Sequence, residues 1–193
     1  MDIRAIHSLL HERFGAAIAP VESARLFEFI EVDPLHVDAI ARFLRDEPEL
    51  AFDCLSNLSG CDWPKSAKIQ VVYELYSFAH DLFLVIKADA RRDHPRVKTV
   101  EGVWPAANWL EREVFDLLGV DFVGHSDQRR ILLPDDWIGS PLRKDYVEAP
   151  EYHGISTVRE SVLNMPSAPA TAPSAPAAAP APAGPSTTRP VES

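Results

Sequence analysis

Cysteine is scarce in this chain: Cys54 and Cys61 are the only two among 193 residues. Two thiols cannot staple a disulfide-rich secreted fold. Iron–sulfur and structural zinc sites also need more thiolates at tighter spacing, so the pair reads as half-buried and structural. The chain has no C-x-x-C, no phosphate loop and no G-x-G-x-x-G, hence no signature for cluster, nucleotide or flavin binding. Long apolar runs are missing as well. The longest candidate, Leu82 to Ile86, is strand-sized and far from the roughly 20 residues that span a bilayer. Met1 to Phe14 lacks the apolar core of a signal sequence and the acid-poor look of a transit peptide. A reducing cytosolic compartment is the expectation. Basic residues are outnumbered 19 to 29, for a net charge of −10. That balance disfavours nonspecific nucleic-acid binding, which works by displacing counterions, and it repels an anionic membrane surface.

What is present suits a globular body with an appended tail. Hydrophobic residues at 46% and charged residues at 25% give the balance of a folded soluble domain. Ile3, Ile6, Leu10 and Phe14 recur at helical spacing, and Gly15 stops the helix. Leu26 to Val32 reads as a strand. Asp33-Pro34 then reads as the cap and first position of a helix running to Asp46, with Leu35, Val37, Ile40, Phe43 and Leu44 inward. Ala51 to Leu58 is a short strand closed by a Ser59-Gly60 turn. Lys68 to Ser77 and Asp81 to Asp89 are the clearest strands, and Phe78-Ala79-His80 joins them as an antiparallel hairpin. Arg96 to Val103 is a further strand. Pro105 opens a helix to Leu118, with Gly119 as its left-handed cap. This order predicts an α+β fold, with helices packed on a mixed, largely antiparallel sheet. Residues 1–146 form the domain and 147–165 an extension. The Pro/Ala-rich stretch 166–193 cannot offset its ordering entropy and reads as disordered.

Candidate chemistry concentrates between Trp109 and Tyr146. Glu111, Glu113 and Asp116 admit two readings, paired catalytic acids or partners of arginine. With Leu110, Val114 and Leu117 inward, Glu113 falls on the border of the apolar face, where a carboxylate needs a cation. Arg112, Arg129 and Arg130 are candidates. The ion pair is favoured because no nucleophile or metal accompanies the acids. His125, beside Asp127, reads either as a general base or as a turn histidine bonded to backbone, and the second is favoured. Arg129-Arg130 and Arg143-Lys144 read as phosphate ligands or, with acids on every side, as internal ion pairs. His7 and His11, four apart on a helix, match a zinc spacing but lack a third ligand, so a solvated face is favoured.

The ordered string from Val100 to Tyr146 resembles a known family. Glu111-Arg112-Glu113, Asp116-Leu117-Leu118-Gly119, Phe122, Gly124-His125, Asp127, Arg129-Arg130-Ile131-Leu132-Leu133-Pro134, Trp137, Gly139 and Pro141-Leu142-Arg143-Lys144-Asp145-Tyr146 are similar to the signature of the C-type subunit of bacterial respiratory complex I. The resemblance implies a cofactor-free structural subunit of a proton-translocating NADH-quinone oxidoreductase. FMN and iron–sulfur clusters would sit in partner subunits and carry electrons from NADH to quinone. It further implies a peripheral position on the cytoplasmic side of the cell inner membrane. The partners would be the D-type subunit, which helps form the quinone site, and cluster-bearing peripheral-arm subunits, with membrane association only through the complex. The signature residues, among them Pro141, Lys144 and Asp145, would form an interface, with Trp137 and Tyr146 as aromatic anchors and Glu113 organising the loop through an arginine. Ser126 and Gln128 depart from the family pattern, which has proline and an apolar residue there. A related membrane-bound hydrogenase or ferredoxin-linked quinone reductase uses the same module and stays open. A stand-alone hydrolase built on His125 with Asp127 or Glu113 is a rival of another class, and an adaptor recruiting partners through its Pro/Ala tail is a third reading.

Overall fold

The computed structural model describes residues 2–23 and 27–158. Residues up to Glu148 form one compact unit, and a second unit begins at Ala149. The disorder expected for 166–193 lies outside the described residues.

Helix α1 (Ile3–Phe14) starts where the Asp2 carboxylate accepts the Ile3 N–H, and it buries Ile6 and Leu10. Strand β1 (Ile18–Ser23) follows and pairs with β2 (Glu28–Val32). β1 has no apolar alternation to announce it, and its Pro20 suits an edge strand, where one N–H is not needed. Helix α2 (Val37–Asp46) buries Val37, Ile40, Ala41 and Leu44. It begins three residues later than the sequence suggests. Asp33 accepts the Leu35 N–H at 2.7 Å in a turn that precedes the helix, and Leu35 stays exposed.

β3 (Cys54–Trp63) runs straight through the expected Ser59-Gly60 turn. Gly60 is there for room: a Cβ on it would stand 2.4 Å from Leu118 Cδ1 and 3.1 Å from Val114 Cγ1. A glycine inside a strand marks such a close approach. β4 (Lys68–Ser77) and β5 (Leu82–Arg91) form the expected antiparallel hairpin. β6 (Arg96–Lys98) is only three residues long, because Thr99 to Trp104 turns away from the sheet. Helix α3 (Ala107–Leu118) ends on Gly119 at φ +72°, the left-handed cap expected. It crosses over to β7 (Asp121–Val123), which pairs in parallel with β6. A parallel pair needs such a long connection, and no local pattern reveals it.

The main sheet has the order β1-β2-β5-β4-β3, with β2–β5 parallel and the other neighbours antiparallel. Its inner face carries Ile69, Val71, Tyr73 and Leu75 of β4 opposite Ala90, Ala88, Ile86 and Leu84 of β5. These cluster with buried residues of all three helices. The outer face carries Lys68, Gln70, Glu74 and Tyr76 alternating with them, the pattern of an antiparallel sheet open on one side. In the second unit, β8 (Glu151–Tyr152) pairs with β9 (Ile155–Ser156).

Gly60→Ala should lower stability by about 1–3 kcal/mol, because the added methyl overpacks the α3–β3 contact. A lowered urea midpoint checks this; an unchanged midpoint would mean α3 is free to move off the sheet.

Candidate functional site

Helix α3 is the base of the site. Its line Ala107, Glu111, Val114 and Leu118 recurs at helical spacing and is buried. Leu110 and Leu117 are only half-buried. This places two acids inside and one outside. Glu111 and Asp116 are 0% and 1% exposed, whereas Glu113 faces solvent and meets no arginine among the described residues. The expectation that Glu113 organises the loop is therefore wrong. A rotation of the apolar face by about one position hands that role to Asp116.

Asp116 gathers the loop. Its Oδ2 accepts the backbone N–H groups of Ile131, Leu132 and Leu133 at 3.1, 2.8 and 2.8 Å. Its Oδ1 accepts Arg130 Nη1 at 2.7 Å. Burial pushes this carboxyl up, but those donors outweigh it and its pKa lies below the usual range. Arg130 also donates to the Trp137 carbonyl at 2.9 Å. The buried Arg112 donates to the carbonyls of Arg129 and Arg130 at 3.2 and 3.3 Å, and its guanidinium lies 5.2 Å from the Trp109 ring centre.

Glu111 serves the other side. It accepts Thr99 Oγ1 at 2.6 Å and the Val100 N–H at 2.7 Å, fastening the turn after β6. Burial raises its pKa to about 7, against the pull of these two donors. His125 has a fully buried side chain. Its Nδ1 accepts the Asp127 N–H at 3.0 Å, so the proton sits on Nε2, which donates to the Asn108 carbonyl at 3.1 Å. With both nitrogens occupied by backbone, His125 has no lone pair for a general base. It is a turn histidine.

The two departures from the signature have definite partners. Ser126 donates its N–H and its hydroxyl to Glu101 at 2.7 and 3.0 Å. A proline there has no N–H to donate. The Gln128 amide fits the free edge of β7, donating to the Phe122 carbonyl at 3.1 Å and accepting its N–H at 3.3 Å. Phe122 itself is buried, and Gly124 turns at φ +93° beneath the loop.

The far end of the loop is held by two residues that the sequence did not single out. Asp62 of β3 and Arg92, just after β5, form a bidentate pair at 2.7 and 2.9 Å. Arg92 also grips Asp145, and Asp62 accepts the Lys144 N–H at 2.8 Å. Arg92 holds the Asp62 carboxyl below its ordinary range. Arg143 donates to the Leu118 carbonyl at 2.8 Å, satisfying the exposed end of α3, and to the Arg92 carbonyl. Pro141 leads into this contact. A buried aspartate in a strand and an arginine following one are weak signals in sequence, because their partners lie 30 and 53 residues away.

The arrangement is made for holding. Trp137 and Tyr146, expected as outward anchors, are half-buried, and the Tyr146 ring packs against the Cα position of Gly139. Three large apolar side chains face outward among the exposed charges: Trp109 at 62%, Leu132 at 60% and Ile138 at 86% exposed. Arg129, exposed and paired to Asp127 at 2.6 and 2.7 Å, sits on the same loop. Cys54 and Cys61 are not a pair. They stand opposite Tyr76 and Gln70, six rows apart or about 20 Å, too far to share a ligand.

Asp116→Ala strips the partners from three N–H groups and from Arg130, and should cost roughly 2–4 kcal/mol. Urea unfolding and protease nicking within 124–146 check it, with Asp116→Asn expected to recover part of the loss. Glu111 gives a pH signature. The unfolded chain ionises it near 4.5, while the folded chain keeps the proton to about 7. Between these values the folded state holds the extra proton, so stability falls as pH rises through the window. Glu111→Gln should remove this contribution, which is at most about 1.4 kcal/mol per pH unit. Identical pH slopes for the two proteins would refute the assignment.

Comparison with known proteins fits this geometry. Residues 30–152 match the family described as respiratory-chain NADH dehydrogenase, 30 Kd subunit. The C-type subunit of the NADH-quinone oxidoreductase of Chlorobium phaeobacteroides is 42% identical over 155 residues, 78% of this chain and 92% of its own. The protein of the same name from Geobacter sulfurreducens is 41% identical over 139 residues, 71% of this chain and 85% of its own. A chain in the solved structure of the membrane-bound sulfane sulfur reductase, an archaeal respiratory membrane complex, superposes with a TM-score of 0.54 at 26% identity. The superposition covers 69% of this chain and 77% of that one. With its signature loop bound down onto α3 and its sequence matched across most of its length, this chain belongs to the 30 kDa subunit family of respiratory complex I, the C-type subunits of NADH-quinone oxidoreductase.

Proposed function

We propose that this chain is a cofactor-free scaffold subunit in the peripheral arm of a proton-translocating NADH-quinone oxidoreductase. In this reading FMN and iron–sulfur clusters lie in partner subunits and carry electrons from NADH to quinone. The chain docks on the D-type, quinone-site subunit and the cluster-bearing subunits at the cytoplasmic side of the membrane, and reaches the membrane only through them. None of its helices is long and apolar enough to cross a bilayer, among the described residues.

One observation carries the reading. Arg130, Arg143 and Asp145 fix the loop from Gly124 to Tyr146 to the body, and Leu132 and Ile138 of the loop face out with Trp109 of α3. A rigid surface with large exposed side chains and internally paired charges suits docking. It does not suit turnover, because His125 has no free nitrogen and Glu113 stands apart from it. The hydrolase reading loses its base. Arg129 and Asp127 at the rim set register more than affinity.

The likeness to a chain of the sulfane sulfur reductase complex favours one second reading. In that reading the same scaffold serves a related membrane-bound hydrogenase or ferredoxin-linked quinone reductase.

Purification through a tag on this chain, followed by mass spectrometry, tests both. Co-elution with flavin- and NADH-binding subunits supports the first reading, and membrane and cluster subunits without them support the second. A chain that elutes alone and turns over a substrate overturns both. Ile138→Asp should cut recovery of the complex about tenfold, a loss of about 1.4 kcal/mol, and Arg129→Ala at the rim should lower recovery less and change its salt dependence, with the circular dichroism of the free chain unchanged in both.

A further inference from the structure

The tip of the β4–β5 hairpin carries a second cluster of exposed aromatic residues. It lies ten residues along β4 from Lys68, about 30 Å from the end where Asp62 and Arg92 hold the loop. Phe78 is 70% exposed and Phe83 54% exposed. Tyr76 stands directly opposite Phe83 across the hairpin, and its ring meets Phe78 edge to face with centres 5.0 Å apart. Single exposed apolar residues are ordinary, but three neighbouring aromatics on one tip form a patch.

The tip is built to hold these rings outward. The Asp53 carboxylate accepts the Phe78 N–H at 3.2 Å. Asp81 accepts the Tyr76 hydroxyl. Asp81 itself sits at φ +53°, a left-handed conformation that aspartate tolerates.

The charge around the rings has one sign. Asp53 and Asp81 border Phe78 and Tyr76, and Glu74 lies next to Tyr76 along the outer face of β4. The ring of His80 is turned to the Pro48 carbonyl at 2.8 Å. Lys87 lies two rows down the same face of β5 and is held over the Phe29 ring, 3.4 Å from its centre. Each aspartate retains lone pairs beyond the bond it makes. Aromatic faces beside free carboxylate oxygens attract a desolvating guanidinium or ammonium group.

We infer that the Tyr76–Phe78–Phe83 tip is a second docking surface, and that it receives an arginine- or lysine-bearing segment of a neighbouring subunit. The inference rests on the reading of this chain as a subunit of a larger complex. A second copy of the chain would bring acid against acid, and an anionic lipid surface would be repelled in the same way.

Site-specific photo-crosslinking in the assembled complex tests it, with the crosslinking residue placed at Phe78 and, in parallel, at Ile138. The expected product at Phe78 is a peptide of another subunit with Arg or Lys within a few residues of the crosslink. Phe83→Ala with Asp81→Asn should lower that yield at least about fivefold, since each removes part of the cation site. Asn tolerates the left-handed turn, so the hairpin is kept. A crosslink to lipid, to a second copy, or to a segment without a basic residue overturns the inference. So does the lack of any product at Phe78 while Ile138 crosslinks, which leaves the assembly reading standing. Failure at both positions overturns both.

Discussion

The Asp116 carboxylate accepts four hydrogen bonds, one from Arg130 and three from consecutive backbone N–H groups. Residues 124–146 enter no strand or helix, so their polar groups have no ladder to join. Buried backbone groups must still be satisfied. One buried acid on a helix supplies that need for the middle of the loop. Glu101 does so for its start, and Asp62 with Arg92 for its end, while Glu111 does the same for the turn after β6. Each acid is useful only because α3 and the sheet edge hold it at a set height, and those positions depend in turn on Gly60 letting α3 lie close to β3.

This accounts for how a stretch rich in acids, arginines and a histidine holds a loop in place. A catalytic group needs a free lone pair or a transferable proton at an open position. Here the lone pairs of Asp116, Asp62, Glu101 and His125 are committed to backbone, guanidinium, amide and hydroxyl donors. Glu111 stays poised near neutrality because it is buried. Buried acids thus face the loop backbone, while Trp109, Leu132 and Ile138 stand exposed beside the charges at the rim.

Much of this was legible in the residues. The β4–β5 hairpin, α1, α3 and the Gly119 cap follow from apolar spacing and turn chemistry within a few residues. The signature string located the loop, the turn-histidine reading agrees with the geometry, and the arginine ion pair forms at Asp116 but not at Glu111 or Glu113 among the described residues. What went astray did so for nameable reasons. Gly60 looked like a turn because a glycine needed for close packing reads the same as one needed for φ. Glu113 was chosen over Asp116 because a helical face read from Leu110, Val114 and Leu117 differs by one position from the face that the sheet selects. Trp137 and Tyr146 were expected outward because a sequence cannot show that a ring folds back onto its own loop.

The sequence by itself determined the local elements, the family and the presence of a charged, turn-rich segment, since these depend on propensity, periodicity and an ordered string of residue types. Only the tertiary structure decided the partners. The parallel pairing of β6 with β7 and the grip of Asp62 and Arg92 on residues 144 and 145 join positions far apart in the chain. Such contacts are settled by which surfaces meet once the core has closed, and no window of neighbouring residues contains that information.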